Sequence, residues 1–276
     1  MKQTQKRPRE RAGEVRHKHS LGQNFLNDVE LLESLIDDAG VGKDDHILEV
    51  GPGAGDLTRL LAARCKTVTA VEIDRDLFPI LRVVMERAEN FTLVEGNILR
   101  VNLPEIMAGK TPCHVVANIP YYLTTELLTM LLGGNLPLLS VNVMVQKEAA
   151  QRVLAAPGTP EYGPLAVRAQ YYTQPRLARI VPAACFTPPP KVDSAFLCLP
   201  CRETPAVRVA DEKRFFRLVN TAFALRRKTL CNNLIASFHL TREEALAWLA
   251  RAGLPETARG EQLTLQQFAD LANTQE

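Results

Sequence analysis

The chain has 276 residues, 46% hydrophobic and 23% charged, which are the proportions of a globular protein with an ordinary core. A disordered chain, a collagen and a disulfide miniprotein are excluded. The net charge is only +2, but residues 1–20 hold seven Lys/Arg against two Glu, and residues 202–228 hold eight against three acids.

In chain order, the tail 1–20 has no apolar core and reads as a basic flexible segment, not a secretory signal. Asn27-Asp-Val-Glu30 has capping-box spacing and opens a helix with Val29, Leu31, Leu32, Leu35 and Ile36 at helical period, ended by Gly40. Residues 46–50 predict a strand running into Gly51-Pro-Gly-Ala-Gly55, followed by a helix over 57–63. The next strand, 67–71, ends at Glu72, and a helix is predicted over 75–87. Strands over 91–94, 114–117 and 140–145 continue the pattern, with helices over 124–132 and 147–154. This alternation predicts a parallel, doubly wound α/β sheet. After a helix from Gly163 to Tyr172, strands 177–181 and 194–199 have no helix between them and predict an antiparallel edge. Residues 200–210 read as a linker. From 211 on the pattern is helical. Phe215, Phe216, Val219 and Phe223 share one face, and Leu230, Leu234 and Phe238 share another. Thr241-Arg-Glu-Glu244 and Thr264-Leu-Gln-Gln267 are capping boxes. The expected division is a tail 1–20, an α/β domain 21–200 and a helical domain 211–276.

The most apolar stretch, 127–145, is interrupted by Gly133-Gly134-Asn135 and Pro137, so no membrane span is expected. Six cysteines scattered in apolar contexts fit reduced thiols and a cytoplasmic location. Cys198-Leu-Pro-Cys201 lacks the second pair or nearby histidine a zinc site needs, so no metal is expected. Two basic zones on an acidic remainder suit a binder of phosphate backbone, although a solvated tail and a charged helix face would read the same way.

Gly51 and Gly53 stand where a strand meets a helix N-terminus, a place where glycines let backbone approach a ligand closely. Glu72, at the end of the next strand, is where a ribose-binding acid belongs. The spacing is GxGxG and not GxGxxG, with Glu49 two residues before the first glycine. An acid there would repel a pyrophosphate but can face a cationic amino-acid end. This favours S-adenosylmethionine, with NAD(P) the alternative.

The strand at 114–117 ends in Asn118-Ile-Pro-Tyr121. An exocyclic adenine amine is a poor nucleophile because its lone pair is delocalised into the ring. The Asn118 side-chain oxygen and the Ile119 carbonyl can accept its hydrogens and shift the nitrogen towards sp³ character. Pro120 stiffens the turn, and Tyr121 offers a face on which a flipped base stacks. Catalysis is then mainly alignment and electrostatic stabilisation.

Together with His19-Ser-Leu-Gly-Gln-Asn-Phe-Leu26, Val71-Glu-Ile-Asp74, Phe186-Thr-Pro-Pro-Pro-Lys-Val-Asp-Ser-Ala195 and Ala224-Leu-Arg-Arg-Lys-Thr229, these motifs resemble the ribosomal RNA adenine dimethyltransferase family, in particular its bacterial branch acting on 16S rRNA. The resemblance implies a class I methyltransferase fold, Rossmann-like with an antiparallel edge, plus a small all-helical C-terminal domain. It implies that Asn24 and Leu26 line the S-adenosylmethionine site beside Gly51, and that Glu72 binds the ribose hydroxyls. Asn118 lies between methionine and target base, Tyr121 stacks on the target adenine, and Phe186 forms part of the same pocket. The implied reaction gives N6,N6-dimethyladenosine at two adjacent adenines near the 3′ end of 16S rRNA. Two positions depart from the family's usual residues: Asn97, where an Asp accepts from the cofactor adenine amine, and Tyr122, commonly Asn. Arg226, Arg227 and Lys228 are the expected RNA-phosphate contacts, and a monomer is expected. The alternatives are a large-subunit 23S rRNA methyltransferase of the macrolide-resistance type and a non-catalytic rRNA-binding assembly factor.

Overall fold

A computed structural model describes residues 24–134 and 136–274. The tail 1–20 and the start of the His19–Leu26 motif lie outside the described residues. The chain runs β1 (Phe25–Leu26), α1 (Val29–Ala39), β2 (His46–Val50), α2 (Asp56–Arg64), β3 (Thr67–Glu72), α3 (Phe78–Val84), β4 (Phe91–Glu95), α4 (Leu103–Ile106), β5 (Cys113–Asn118), α5 (Thr124–Leu131), β6 (Leu138–Gln146) and α6 (Lys147–Leu154). It continues through α7 (Pro164–Tyr172), β7 (Arg176–Val181), β8 (Phe186–Thr187) and β9 (Ser194–Pro200) to α8 (Glu212–Ala222), α9 (Leu230–Phe238), α10 (Arg242–Arg251) and α11 (Leu265–Asn273).

Seven strands form one sheet in the order β4-β3-β2-β5-β6-β9-β7. The first five are mutually parallel, and β9 runs antiparallel between β6 and β7. The antiparallel pair expected at the edge is present, with the later strand inside and the earlier one outermost. Burial explains the difference in sequence character. Ser194–Leu199 of β9 are all buried, whereas Leu177 and Ile180 of the edge strand β7 stay exposed. Helix α1 is capped by Asp28, not Asn27: the Asp28 side chain accepts from the Leu31 amide at 3.1 Å. Gly40 closes it in the left-handed conformation, φ 68°.

One large core packs Leu127, Leu128 and Leu131 of α5 against Val115, Val143 and Leu197 of the sheet. On the opposite side Ile36 and Leu61, from α1 and α2, cover Ile47 and Val68. A further core joins Phe215, Val219, Leu234, Trp248 and Phe268 of the C-terminal helices. It also takes in Tyr162, Val167 and Tyr171, so α7 belongs to both bodies of packing. The stretch read as a linker is tied down: Cys201 bridges Thr173, the Ala206 amide donates to the Tyr171 carbonyl, and Val207 and Val209 pack on the helical core. Both expected capping boxes, Thr241–Glu244 and Thr264–Gln267, are closed in both directions.

Strand order reverses at β2, with β3 on one side and β5 on the other. An α/β sheet leaves its ligand crevice outside the carboxyl ends at such a switch point.

Candidate active site

A cavity opens at that place. It is lined by the glycine loop after β2, by Glu72 and Ile73 after β3, by Gly96 and Asn97 after β4, and by Asn118 to Leu123 after β5. Asn24, Phe25 and Leu26 close one wall.

The loop's backbone takes a conformation that favours glycine. Gly51, Gly53 and Gly55 have φ of 67°, 62° and 94°. A Cβ on Gly53 would sit 2.7 Å from Cε1 of Phe25, so that glycine also makes room for β1. Glu72 is 4% exposed, and Oε1 accepts from the amides of Ile73 and Asp74, each at 2.8 Å. Oε2 accepts weakly from the Gly53 amide at 3.3 Å, which joins the loop to the end of β3. Burial raises the Glu72 carboxyl above its ordinary range, and those three amides oppose the rise. Glu49 is 1% exposed, and its Oε2 has no partner. Burial pushes its carboxyl up to about 8, the charge on Glu72 adds to the push, and the Thr58 hydroxyl opposes it. An orphaned acid oxygen at the wall of a cavity suits a cationic ligand group.

At the end of β5, Asn118 Nδ2 donates to the Asn24 carbonyl at 3.0 Å. This fixes the amide orientation and leaves Oδ1 as an acceptor at the cavity. Tyr121 is half-buried, and its hydroxyl shares a 2.8 Å hydrogen bond with the Ser194 hydroxyl at the start of β9. The Leu123 amide donates to Pro120, and the Thr124 hydroxyl caps the Tyr121 carbonyl, so the turn is closed on itself. Asn97 Oδ1 accepts from the Leu99 amide at 3.0 Å and has a second lone pair to offer.

Of the residues singled out in the sequence, Asn24, Leu26, Gly51, Gly53, Glu72, Asn97, Asn118, Pro120 and Tyr121 all line this one cavity. Phe186 does not. It is buried behind the wall, its backbone paired with Leu26, in a core with Leu35 and Met144, and Phe196 reaches the cavity instead. Arg226, Arg227 and Lys228 are exposed, on the loop between α8 and α9. The Arg226 guanidinium donates to the carbonyls of Pro160 and Tyr162 at 2.6 and 3.0 Å, holding the loop before α7. Sequence reading missed Ser194 as the anchor of Tyr121, although it lies inside the Phe186–Ala195 string. It also missed the antiparallel pairing of β1 with β8, which builds the cavity wall. Among the described residues no group of three His, Cys, Asp or Glu could hold a metal, and no helix is long and apolar enough to cross a membrane.

The model of the family described as ribosomal RNA adenine dimethylase matches residues 14–276. The chain belongs to the ribosomal RNA adenine dimethylase family. It is 43% identical over 267 residues to the ribosomal RNA small subunit methyltransferase A of Enterococcus faecalis, covering 94% of this chain and 90% of that one. It is 44% identical over 263 residues to the protein of the same name from Streptococcus sanguinis, covering 93% and 91%. Among solved structures, a dimethyladenosine transferase from Plasmodium falciparum superposes with a TM-score of 0.76 at 24% identity, over 90% of this chain and 95% of that one. The 23S rRNA methyltransferase ErmE does so with a TM-score of 0.69 at 28% identity, over 91% and 99%. The fold is that of an S-adenosylmethionine-dependent methyltransferase, and S-adenosylmethionine is the methyl donor of this dimethylase. The residues present fit such a group: the unpartnered Glu49 oxygen could face a cation, the Glu72 carboxylate could accept from hydroxyls, and the glycine loop leaves its backbone open to the cavity.

Proposed function

We propose that this enzyme methylates N6 of two adjacent adenines near the 3′ end of 16S rRNA, giving N6,N6-dimethyladenosine during assembly of the small ribosomal subunit. The observation that carries the reading is the orientation of Asn118: its nitrogen is committed to the Asn24 carbonyl, so its oxygen is the group left for substrate.

Bound S-adenosylmethionine supplies an electrophilic methyl group with a neutral thioether as leaving group. Glu49 would hold its cationic end, Glu72 its ribose hydroxyls, and Asn97 would accept from its adenine amine. Asn118 Oδ1, with the Ile119 carbonyl, accepts hydrogens from the target N6 and holds its lone pair out of conjugation, free for methyl transfer. The displaced N6 proton passes to water. One N6 hydrogen remains after the first transfer, so the same acceptor serves the second round. Tyr121 stacks on the extruded base, and Ser194 keeps its ring in place. Phe186 acts from behind, supporting Leu26 and not touching the base.

Residues 21–200 serve as the methyltransferase domain and residues 211–276 as the RNA-binding domain. The tail and the exposed face around Arg227 and Lys228 grip phosphates. The enzyme acts as a monomer in the cytoplasm.

The test is methyl transfer from labelled S-adenosylmethionine to undermethylated small subunits, with protein-free large-subunit rRNA in parallel, followed by digestion to nucleosides. Dimethyladenosine only in the small-subunit sample is expected. Product only in large-subunit RNA would transfer the enzyme to the 23S type. Donor binding with no product would make it an assembly factor.

A further inference from the structure

The chain has ten Phe, five Tyr and one Trp, and all of them fall within the described residues. Only one of these sixteen aromatic side chains is exposed: Tyr122, at 64%. It stands on the lining of the cavity, directly after Tyr121. A large aromatic ring left in water at a site mouth, where every other ring has been folded away, marks a contact surface for an apolar face.

The placement is rigid. Residues Tyr121–Leu123 form one turn of 3₁₀ helix between Pro120 and α5, closed by the Leu123 amide donating to Pro120 at 2.9 Å. Tyr121 is locked to Ser194, so Tyr122 emerges from an anchored turn. One helical turn further on, Glu126 is exposed and also lines the cavity. A carboxylate on the same rim repels phosphate, so this part of the rim suits the face of a base better than the sugar–phosphate backbone.

We propose that Tyr122 is a stacking platform for the nucleotide adjacent to the target adenine, holding that base at the rim while its neighbour occupies the pocket over Tyr121. The inference rests on the RNA-methylating reading above and adds a second base contact to it. Stacking on a tyrosine face is tolerant of base identity and sets register along the strand. Where two neighbouring adenines are both substrates, the platform gives each of them a place while the other reacts.

The experiment uses the full chain and undermethylated small subunits. It compares wild type, Tyr122→Ala and Tyr122→Phe by KM for RNA, kcat and equilibrium binding of S-adenosylmethionine. Tyr122→Ala is expected to raise KM for RNA about tenfold or more, the loss of one base–aromatic stack. Donor affinity is expected to stay within about twofold of wild type, and Tyr122→Phe to restore KM to within about twofold, since the ring and not the hydroxyl makes the contact. An unchanged KM in Tyr122→Ala would overturn the proposal, as would an equal loss in Tyr122→Phe. If wild type itself forms no methylated adenine, the functional reading fails. If wild type is active and the alanine variant matches it, only the platform fails.

Discussion

Asn118 and Glu49 each put one polar group to a task that the rest of the site imposes. The 3.0 Å bond from Asn118 Nδ2 to the Asn24 carbonyl decides which end of the amide is left as an acceptor. Asn118→Ala is therefore expected to lower turnover about 10²–10³-fold, the loss typical of one transition-state contact. Donor affinity, measured by equilibrium binding, should move by no more than about threefold. Glu49 is the residue with a pH consequence. Its carboxyl is held at about 8 in the folded protein against an ordinary 4.5, so the unliganded fold keeps a proton that the unfolded chain releases. Its stability contribution is full below about 4.5 and is lost as pH rises through about 8. The melting temperature of the unliganded protein should fall across that window, and Glu49→Gln should flatten this slope. Affinity for S-adenosylmethionine should run the opposite way, tightening up to about pH 8 as the carboxylate forms, and lose that dependence in Glu49→Gln. A pH-independent affinity in wild type would remove Glu49 from the cationic end of the donor.

At the scale of elements, the parallel strands and their helices were legible because each carries its own periodicity or cap, and most bounds fall within one to three residues of expectation. Helix α3 is shorter than the 75–87 expected: Asp74 accepts from the Asp76 amide at 3.1 Å, and the helix starts only at Phe78. The β1–β8 pair was not legible. Two-residue strands have no period to read, and their register, Phe25 with Thr187 and Leu26 with Phe186, joins segments about 160 residues apart. Phe186, which the family resemblance puts in the pocket, lies in this pair, buried against Leu26 and outside the cavity lining. The junction of loop and mini-sheet gives a matched pair of variants. Gly51→Ala meets nothing within 4 Å and bears only the left-handed backbone cost, about 1–2 kcal/mol. Gly53→Ala bears that cost and also strikes the Phe25 ring. Urea denaturation should find Gly53→Ala the less stable of the two, and its donor affinity should drop further because the ring it displaces lines the cavity. Equal stabilities would mean that Phe25 moves aside freely.

For the whole molecule, the charge pattern suggested where RNA is gripped but not which cations are free to do it. Arg226 is occupied with the carbonyls of Pro160 and Tyr162, a contact that no sequence spacing announces. Arg227 and Lys228 extend from the same loop into solvent. Reversing both, Arg227→Glu with Lys228→Glu, should weaken RNA binding at low salt and flatten the slope of log K against log salt by about two to four phosphate contacts. Melting temperature and donor binding should stay as in wild type. Arg226→Ala should instead lower the melting temperature, because two carbonyls at the join of α7 with the C-terminal helices lose their donor. If the double reversal left the salt slope untouched, RNA would be held elsewhere.

The strand that begins the described chain is completed by one near its two-thirds point, and this has a meaning for how the protein is made. At about 5–20 residues per second, the ribosome needs roughly 8–30 s to travel from the codons of β1 to those of β8. Throughout that interval the Asn24 carbonyl has no β8 to hold its strand against Asn118, and the wall carrying Phe25 and Leu26 has no second strand. An unfinished copy therefore has the glycine loop and the carboxylates of a methyl-donor site but lacks the closing wall. Closure of the cavity waits on translation of a segment that is not part of its lining.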